Sequence, residues 1–186
     1  MNFISKMSFP DQRTTAPLAA SKGAEELVIR VAEQEDAEKI FLIHRDSVEN
    51  LCRSYYSSEQ ISMWMDGRSP ATYLEAIAQK RIFIADDSHS LVGFVEYAPG
   101  EIVKLFVRGI SAKRGIGDSL MKIALCKAFE GGISKVRVES TRNAQSFYER
   151  YGFRKDGEGI FSRSGSGVSI EIIKLFLDIY PQFHFK

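Results

Sequence analysis

Hydrophobic and polar positions along the chain sort into short apolar runs and stretches with helical spacing. Residues 27–32 (LVIRVA) read as a first strand. Asp36 then opens a helix whose apolar positions are Ile40, Phe41, Ile43, Val48 and Leu51. Ser57-x-x-Gln60 is a capping box ahead of Ile61, Met63, Trp64 and Met65, so a short second helix starts there and closes at Gly67. Ser69-Pro70 starts a third helix, with proline at the first helical position, where its missing N–H costs nothing. Strands are predicted over 81–85, 91–97 and 101–107, joined by turns of hairpin length. Next comes a glycine turn, Gly115-Ile116-Gly117, and a helical pattern (Leu120, Met121, Ile123, Ala124, Leu125, Ala128, Phe129) that ends at Gly131-Gly132. Residues 135–139 alternate as a strand, 143–151 form a short helix stopped by Gly152, and 153–161 with 168–177 form a final hairpin. This order predicts an α+β domain with one central sheet.

Composition narrows the function classes. The chain has 186 residues, 44% apolar and 26% charged, with a formal net charge of +1. That balance argues against nucleic-acid or membrane-surface partners, which call for a basic excess or patch. No apolar stretch reaches the roughly 20 residues of a membrane helix. The leader, residues 1–26, lacks both periodicity and the apolar core of a secretory signal, and reads as flexible. The domain is expected over 27–178, with a tail over 179–186. Cys52 and Cys126 each sit in a helical apolar pattern and read as buried, reduced thiols of a cytoplasmic protein. The three histidines, His44, His89 and His184, show no metal-ligand spacing with these cysteines, so no metal is expected.

The candidate chemistry centres on the glycine turn. A strand that turns through glycines into a helix presents backbone N–H groups and the positive end of a helix dipole, a ready site for phosphate. A dinucleotide fingerprint is excluded because Leu120 holds the third glycine position, and a P-loop because no Gly-Lys-Ser/Thr follows. Leu105-Phe106-Val107 before the turn, Gly115 and Gly117 within it, and Asn143, Phe147-Tyr148-Glu149 and Gly152-Phe153 further on carry a family pattern. Here the chain resembles the GNAT superfamily of acyl-CoA-dependent N-acyltransferases, over about residues 27–177. The resemblance implies a mixed, mostly antiparallel sheet of about seven strands flanked by helices. It also implies acetyl-CoA as co-substrate and acetyl transfer to a primary amine by direct attack.

The same resemblance assigns roles. The pantetheine arm would pair with the backbone around Leu105, Phe106 and Val107, and the pyrophosphate would sit on Ala112, Lys113, Arg114, Gly115, Ile116, Gly117 and Asp118. Asn143 would bond the pantetheine, although a helix N-cap explains an asparagine there equally well. One position departs from the family: Ala112 stands where Gln or Arg is usual. Tyr148 matches the tyrosine that sits near the thioester sulfur. A phenol with pKa near 10 stays protonated at neutral pH and can donate to a leaving thiolate. An alkyl amine with pKa near 10.4 must first lose a proton, and Glu96 and Glu101 are the candidate bases. His44, Tyr56 and Trp64 are candidates for the acceptor pocket.

Ala112 keeps a second class open, a catalytically silent acyl-CoA-binding module. A third is an interaction protein that binds no CoA. The aromatic tail residues Tyr180, Phe183 and Phe185 are candidates for a homodimer contact.

Overall fold

A computed structural model describes residues 27–163, 165 and 167–179. The elements, in chain order, are β1 (Val28–Val31), α1 (Ala37–Leu51), α2 (Ser58–Met65), α3 (Ala71–Ala78), β2 (Ile82–Asp86), β3 (Leu91–Ala98) and β4 (Glu101–Val107). They continue with α4 (Ile116–Glu130), β5 (Lys135–Ser140), α5 (Gln145–Glu149), β6 (Arg154–Ser162) and β7 (Ser169–Asp178). The strands form one seven-stranded sheet in the order β1-β2-β3-β4-β5-β7-β6. Every pairing is antiparallel except β4 with β5. This is the mixed, mostly antiparallel, helix-flanked sheet that the sequence resemblance implies.

The parallel pair is the feature that positions the site. It registers only Glu101 with Arg137 and Ile102 with Val138, and beyond Ile102 the two strands separate. The sheet is thus closed at the start of β4 and open toward its end.

Helices cover both faces. Under α4, the buried Leu120, Met121, Ala124 and Ala128 share a core with Val95, Val136, Val138 and Leu175. Under α1 and α3, Ile40, Ile43, Tyr73 and Ile77 pack with Ile82, Ile84 and Phe94. β3 lies between these layers and is buried along almost its whole length, which is why LVGFVEYA shows no polar alternation.

Local signals behave as their chemistry dictates, with a few departures. Ser57 Oγ accepts from the Gln60 amide at 3.2 Å and Gln60 Oε1 accepts from the Ser57 amide at 2.8 Å, completing the expected box. Asp36 ends a single 3-10 turn over Gln34–Asp36 and is the N-cap residue from which α1 starts, but its side chain makes no capping bond. Its carboxylate receives two bonds from the Arg30 guanidinium, at 2.7 and 2.9 Å, and one from the Glu33 amide at 2.8 Å. A side chain held from β1 is not free to cap the helix. Cys126 is half-buried rather than buried. Ile179 belongs to the domain and not to the tail: it is buried in the α4 core, and its amide donates to Ser134 O at 2.8 Å. The leader and the residues singled out for a dimer contact, Tyr180, Phe183 and Phe185, lie outside the described residues.

Candidate active site

The turn after β4 is built to leave amides free. A 3-10 turn over Gly109–Ser111 leads to Lys113 (φ 63°) and Gly115 (φ 82°), both in the left-handed region, where the chain reverses into α4. A glycine at the N-cap makes that reversal inexpensive but supplies no capping side chain. Ser119 donates to Gly115 O at 3.0 Å and is the first amide of α4 closed by the helix itself. The amides of Ile116, Gly117 and Asp118 therefore point out of the positive helix end without an intrahelical acceptor.

Gly117 has a second reason to be glycine. A Cβ there would lie 3.3 Å from the Phe147 ring, so the missing side chain lets α5 pack against α4. Lys113 and Arg114 are exposed beside the turn and Ala112 is half-buried. The Asp118 carboxylate accepts from the Tyr151 hydroxyl at 2.6 Å and joins α4 to the end of α5. Burial first, and this bond second, push the Tyr151 pKa up.

Where β4 and β5 part, a cleft of about 280 Å³ opens between residues 102–106 of one strand and 138–141 of the other. Tyr148 of α5 forms part of its wall and is buried. Its ring makes edge contacts with Phe147 (5.2 Å between centroids) and Phe153 (5.6 Å). No described residue hydrogen-bonds its hydroxyl, and burial raises the phenol pKa well above its usual value. Tyr148 is thus a protonated donor that faces the cleft with its hydroxyl uncommitted.

The opposite wall comes from α1, α2 and the far strands. His44 is buried and stacked on Phe106 at 3.9 Å. His44 Nδ1 lies 2.8 Å from the Tyr73 hydroxyl, whereas Nε2 is buried without a partner. Burial, followed by the nearby charges of Arg68 and Lys104, lowers the His44 pKa well below 6.5, so the ring is neutral. Trp64 lies edge-on to both His44 and Phe106 at 6.3 Å, and Phe161 of β6 lies 6.5 Å from Trp64. Arg68, just past α2, also lines the cleft.

The fold brings together some candidates and separates others. Leu105, Phe106, Tyr148, His44 and Trp64 all line the cleft. Glu96 does not: it is buried on β3, ion-paired with Lys104 and 3.7 Å from Arg81. Lys104 itself lines the cleft. Glu101 is exposed at the closed end of the β4–β5 pair, away from the opening. The Tyr56 hydroxyl does not face the acceptor wall, because it accepts from the Arg142 amide at 3.0 Å and donates to Glu171 O at 3.0 Å. Asn143 caps no helix. It lies within a 3-10 turn, and its Oδ1 accepts from the Cys52 thiol at 3.6 Å. Burial raises that thiol to about 11, so Cys52 is protonated and unreactive. Sequence reasoning missed Arg68 and Phe161. An arginine after a helix stop and a phenylalanine in a strand carry no local signal; only the meeting of α2 with the end of β6 brings them to one cleft.

Comparisons with known proteins agree with this geometry. The family described as "Acetyltransferase (GNAT) domain" matches residues 52–168. The "Uncharacterized N-acetyltransferase YafP" of Escherichia coli K12 is 29% identical over 126 residues, which is 68% of this chain and 80% of that protein. A GCN5-related N-acetyltransferase from Rhodopseudomonas palustris superposes with a TM-score of 0.77 at 22% identity, covering 86% of this chain and all of the other. The PaiA N-acetyltransferase of Thermoplasma acidophilum, solved with coenzyme A, gives 0.64 at 21% identity, covering 83% of this chain and 99% of its own. YncA of Salmonella typhimurium, solved with acetyl-CoA, gives 0.63 at 13% identity, covering 87% and 97%. With the uncapped turn, the splayed β4–β5 pair and the family match over 52–168 in hand, the chain belongs to the GNAT acetyltransferases, enzymes that use an acyl-CoA.

Proposed function

We propose that the protein moves an acetyl group from acetyl-CoA to a primary amine by direct attack in the β4–β5 cleft. The observation that carries this reading is Tyr148: a buried phenol at the cleft wall whose hydroxyl no described residue engages. In the reaction a neutral amine forms the new N–C bond, the C–S bond breaks, and a thiolate departs. Tyr148 donates a hydrogen bond to that thiolate. A thiol (pKa about 8.5) is the stronger acid, so stabilisation rather than complete proton transfer is its contribution. The free amides over residues 116–118 hold the pyrophosphate, worth about 0.3–2 kcal/mol from the helix dipole, with Lys113 and Arg114 adding charge in place of the side chain that Ala112 lacks. Asn143 steadies the pantetheine from the edge of the turn.

The acceptor ammonium loses one proton to water before attack, and the nitrogen loses a second to water as the C–S bond breaks. Glu96 influences that step through Lys104, and Glu101 serves only by way of solvent outside the cleft. Cytoplasmic residence suits this reading, since Cys52 and Cys126 are both unpaired. The test is Tyr148→Phe, followed by free-thiol release and by calorimetric titration with acetyl-CoA. The expected result is a fall in kcat of about 10²–10⁴-fold with little change in acetyl-CoA affinity. An unchanged kcat would remove Tyr148 from the mechanism. Tight binding of acetyl-CoA by the wild type, with no amine turned over, would return the silent binding module that Ala112 allows.

A further inference from the structure

The charges around the acceptor half of the cleft do not balance. Lys104 is neutralised by Glu96 behind it. Glu139, on the β5 side, is exposed and lies 4.0 Å from Lys174. Arg68 is different. Its Nε donates to Trp64 O at 3.0 Å, which fixes the guanidinium at the end of α2, and no carboxylate among the described residues pairs with it. Burial, and after it the charge of Arg163, lower the Arg68 pKa. A half-buried guanidinium that lines a concave site and meets no carboxylate among the described residues calls for an anion.

A second, independent feature points the same way. His44 Nε2 is a buried polar atom without a partner on the cleft wall. Nδ1 is occupied by the Tyr73 hydroxyl, so Nε2 is the ring nitrogen left to meet a polar group of the ligand. Trp64, Phe106 and Phe161 complete the wall with apolar rings. A polyamine or an aminoglycoside would meet the cations Arg68 and Lys104, with only the exposed Glu139 at the β5 edge among the described lining residues to receive its extra charges.

We infer that the acceptor is an amine that also carries a carboxylate, of the amino-acid class, bound with its carboxylate on Arg68, a second polar contact at His44 Nε2, and its apolar portion against Trp64 and Phe161. This rests on the acetyl-transfer reading above and names its acceptor class. Only a bidentate guanidinium–carboxylate pair, and not a single charge, uses the planar fork that Arg68 presents.

The experiment compares the twenty L-amino acids with their carboxamides as acceptors, alongside calorimetry of acetyl-CoA binding. The wild type should acetylate one or more amino acids with kcat/KM about tenfold or more above the matching amide. In Arg68→Gln that ratio should fall to near one, and Arg68→Lys should recover part of it. The acetyl-CoA titration, repeated on each variant, reports whether the cleft is intact. Amides used as well as the acids, or a preference that survives Arg68→Gln, would overturn the inference. So would acetyl-CoA binding with no amino acid acetylated. Failure to bind acetyl-CoA is the separate outcome that overturns the acetyl-transfer reading itself.

Discussion

The turn between β4 and α4 and the cleft wall formed by α1 and α2 are built by opposite means. The turn works with backbone: a left-handed Gly115, an N-cap without a side chain, and three amides released by helix geometry. Its parts lie within a few residues of one another. The wall works with side chains, and His44, Trp64, Arg68, Phe106 and Phe161 come from four separate parts of the chain. The turn suits a ligand portion that is the same in every reaction of the family. Under the proposed function the turn serves the CoA portion and the wall the acceptor, and the wall can change residue by residue while the turn stays as it is.

The largest effect should come from filling the turn. Gly117→Trp places an indole where a Cβ alone already lies 3.3 Å from Phe147. Acetyl-CoA affinity should drop by about a hundredfold or more, equivalent to about 2.7 kcal/mol. Calorimetry checks this, with the melting temperature recorded alongside; retained affinity would place the cofactor elsewhere.

On the wall, His44 makes stability depend on pH. Its folded pKa is depressed below 6.5 by burial and by Arg68 and Lys104, so the unfolded chain takes up a proton before the folded one does. The stability it contributes is therefore complete above pH 6.5. It declines as pH falls below that value, by up to about 1.4 kcal/mol per pH unit, until the lowered folded pKa is reached. Urea denaturation at several pH values should show this slope between pH 6.5 and 5 in the wild type and lose it in His44→Gln. Equal slopes in the two proteins would rule out a neutral, buried His44.

Two smaller effects sharpen the contrast by probing the scaffold under the wall. Tyr56→Phe strands the Arg142 amide and the Glu171 carbonyl, and should cost about 1–3 kcal/mol of unfolding free energy. Ser57→Ala removes one half of a capping box at the exposed start of α2 and should cost about 1 kcal/mol. A Tyr56→Phe cost no greater than that of Ser57→Ala would mean that its two bonds are replaced by water and do not brace the wall.

Legibility in the sequence followed the range of each interaction. The Ser57–Gln60 box, the strands flanking their short turns and the Gly115 reversal are local, and each was readable. Asp36 does mark the start of α1, but its carboxylate is bonded by Arg30 from β1 instead of capping the helix, a contact that no helix signal announces. Glu96 looked available from its sequence position, but burial on β3 obliges it to pair with Lys104. Tyr56 looked like a pocket residue, yet its hydroxyl satisfies two backbone groups on distant elements.

By itself, then, the sequence determined the fold class, the element order and the glycine turn that opens α4, because periodicity, capping and left-handed glycine are properties of neighbouring residues. Only the tertiary structure decided where β4 and β5 part, that Tyr148 lines the opening with its hydroxyl engaged by no described residue, and that Arg68 stands there with no carboxylate partner among the described residues. Each of those depends on which groups fill the coordination of which others across the chain, and burial settles that competition after the elements have packed.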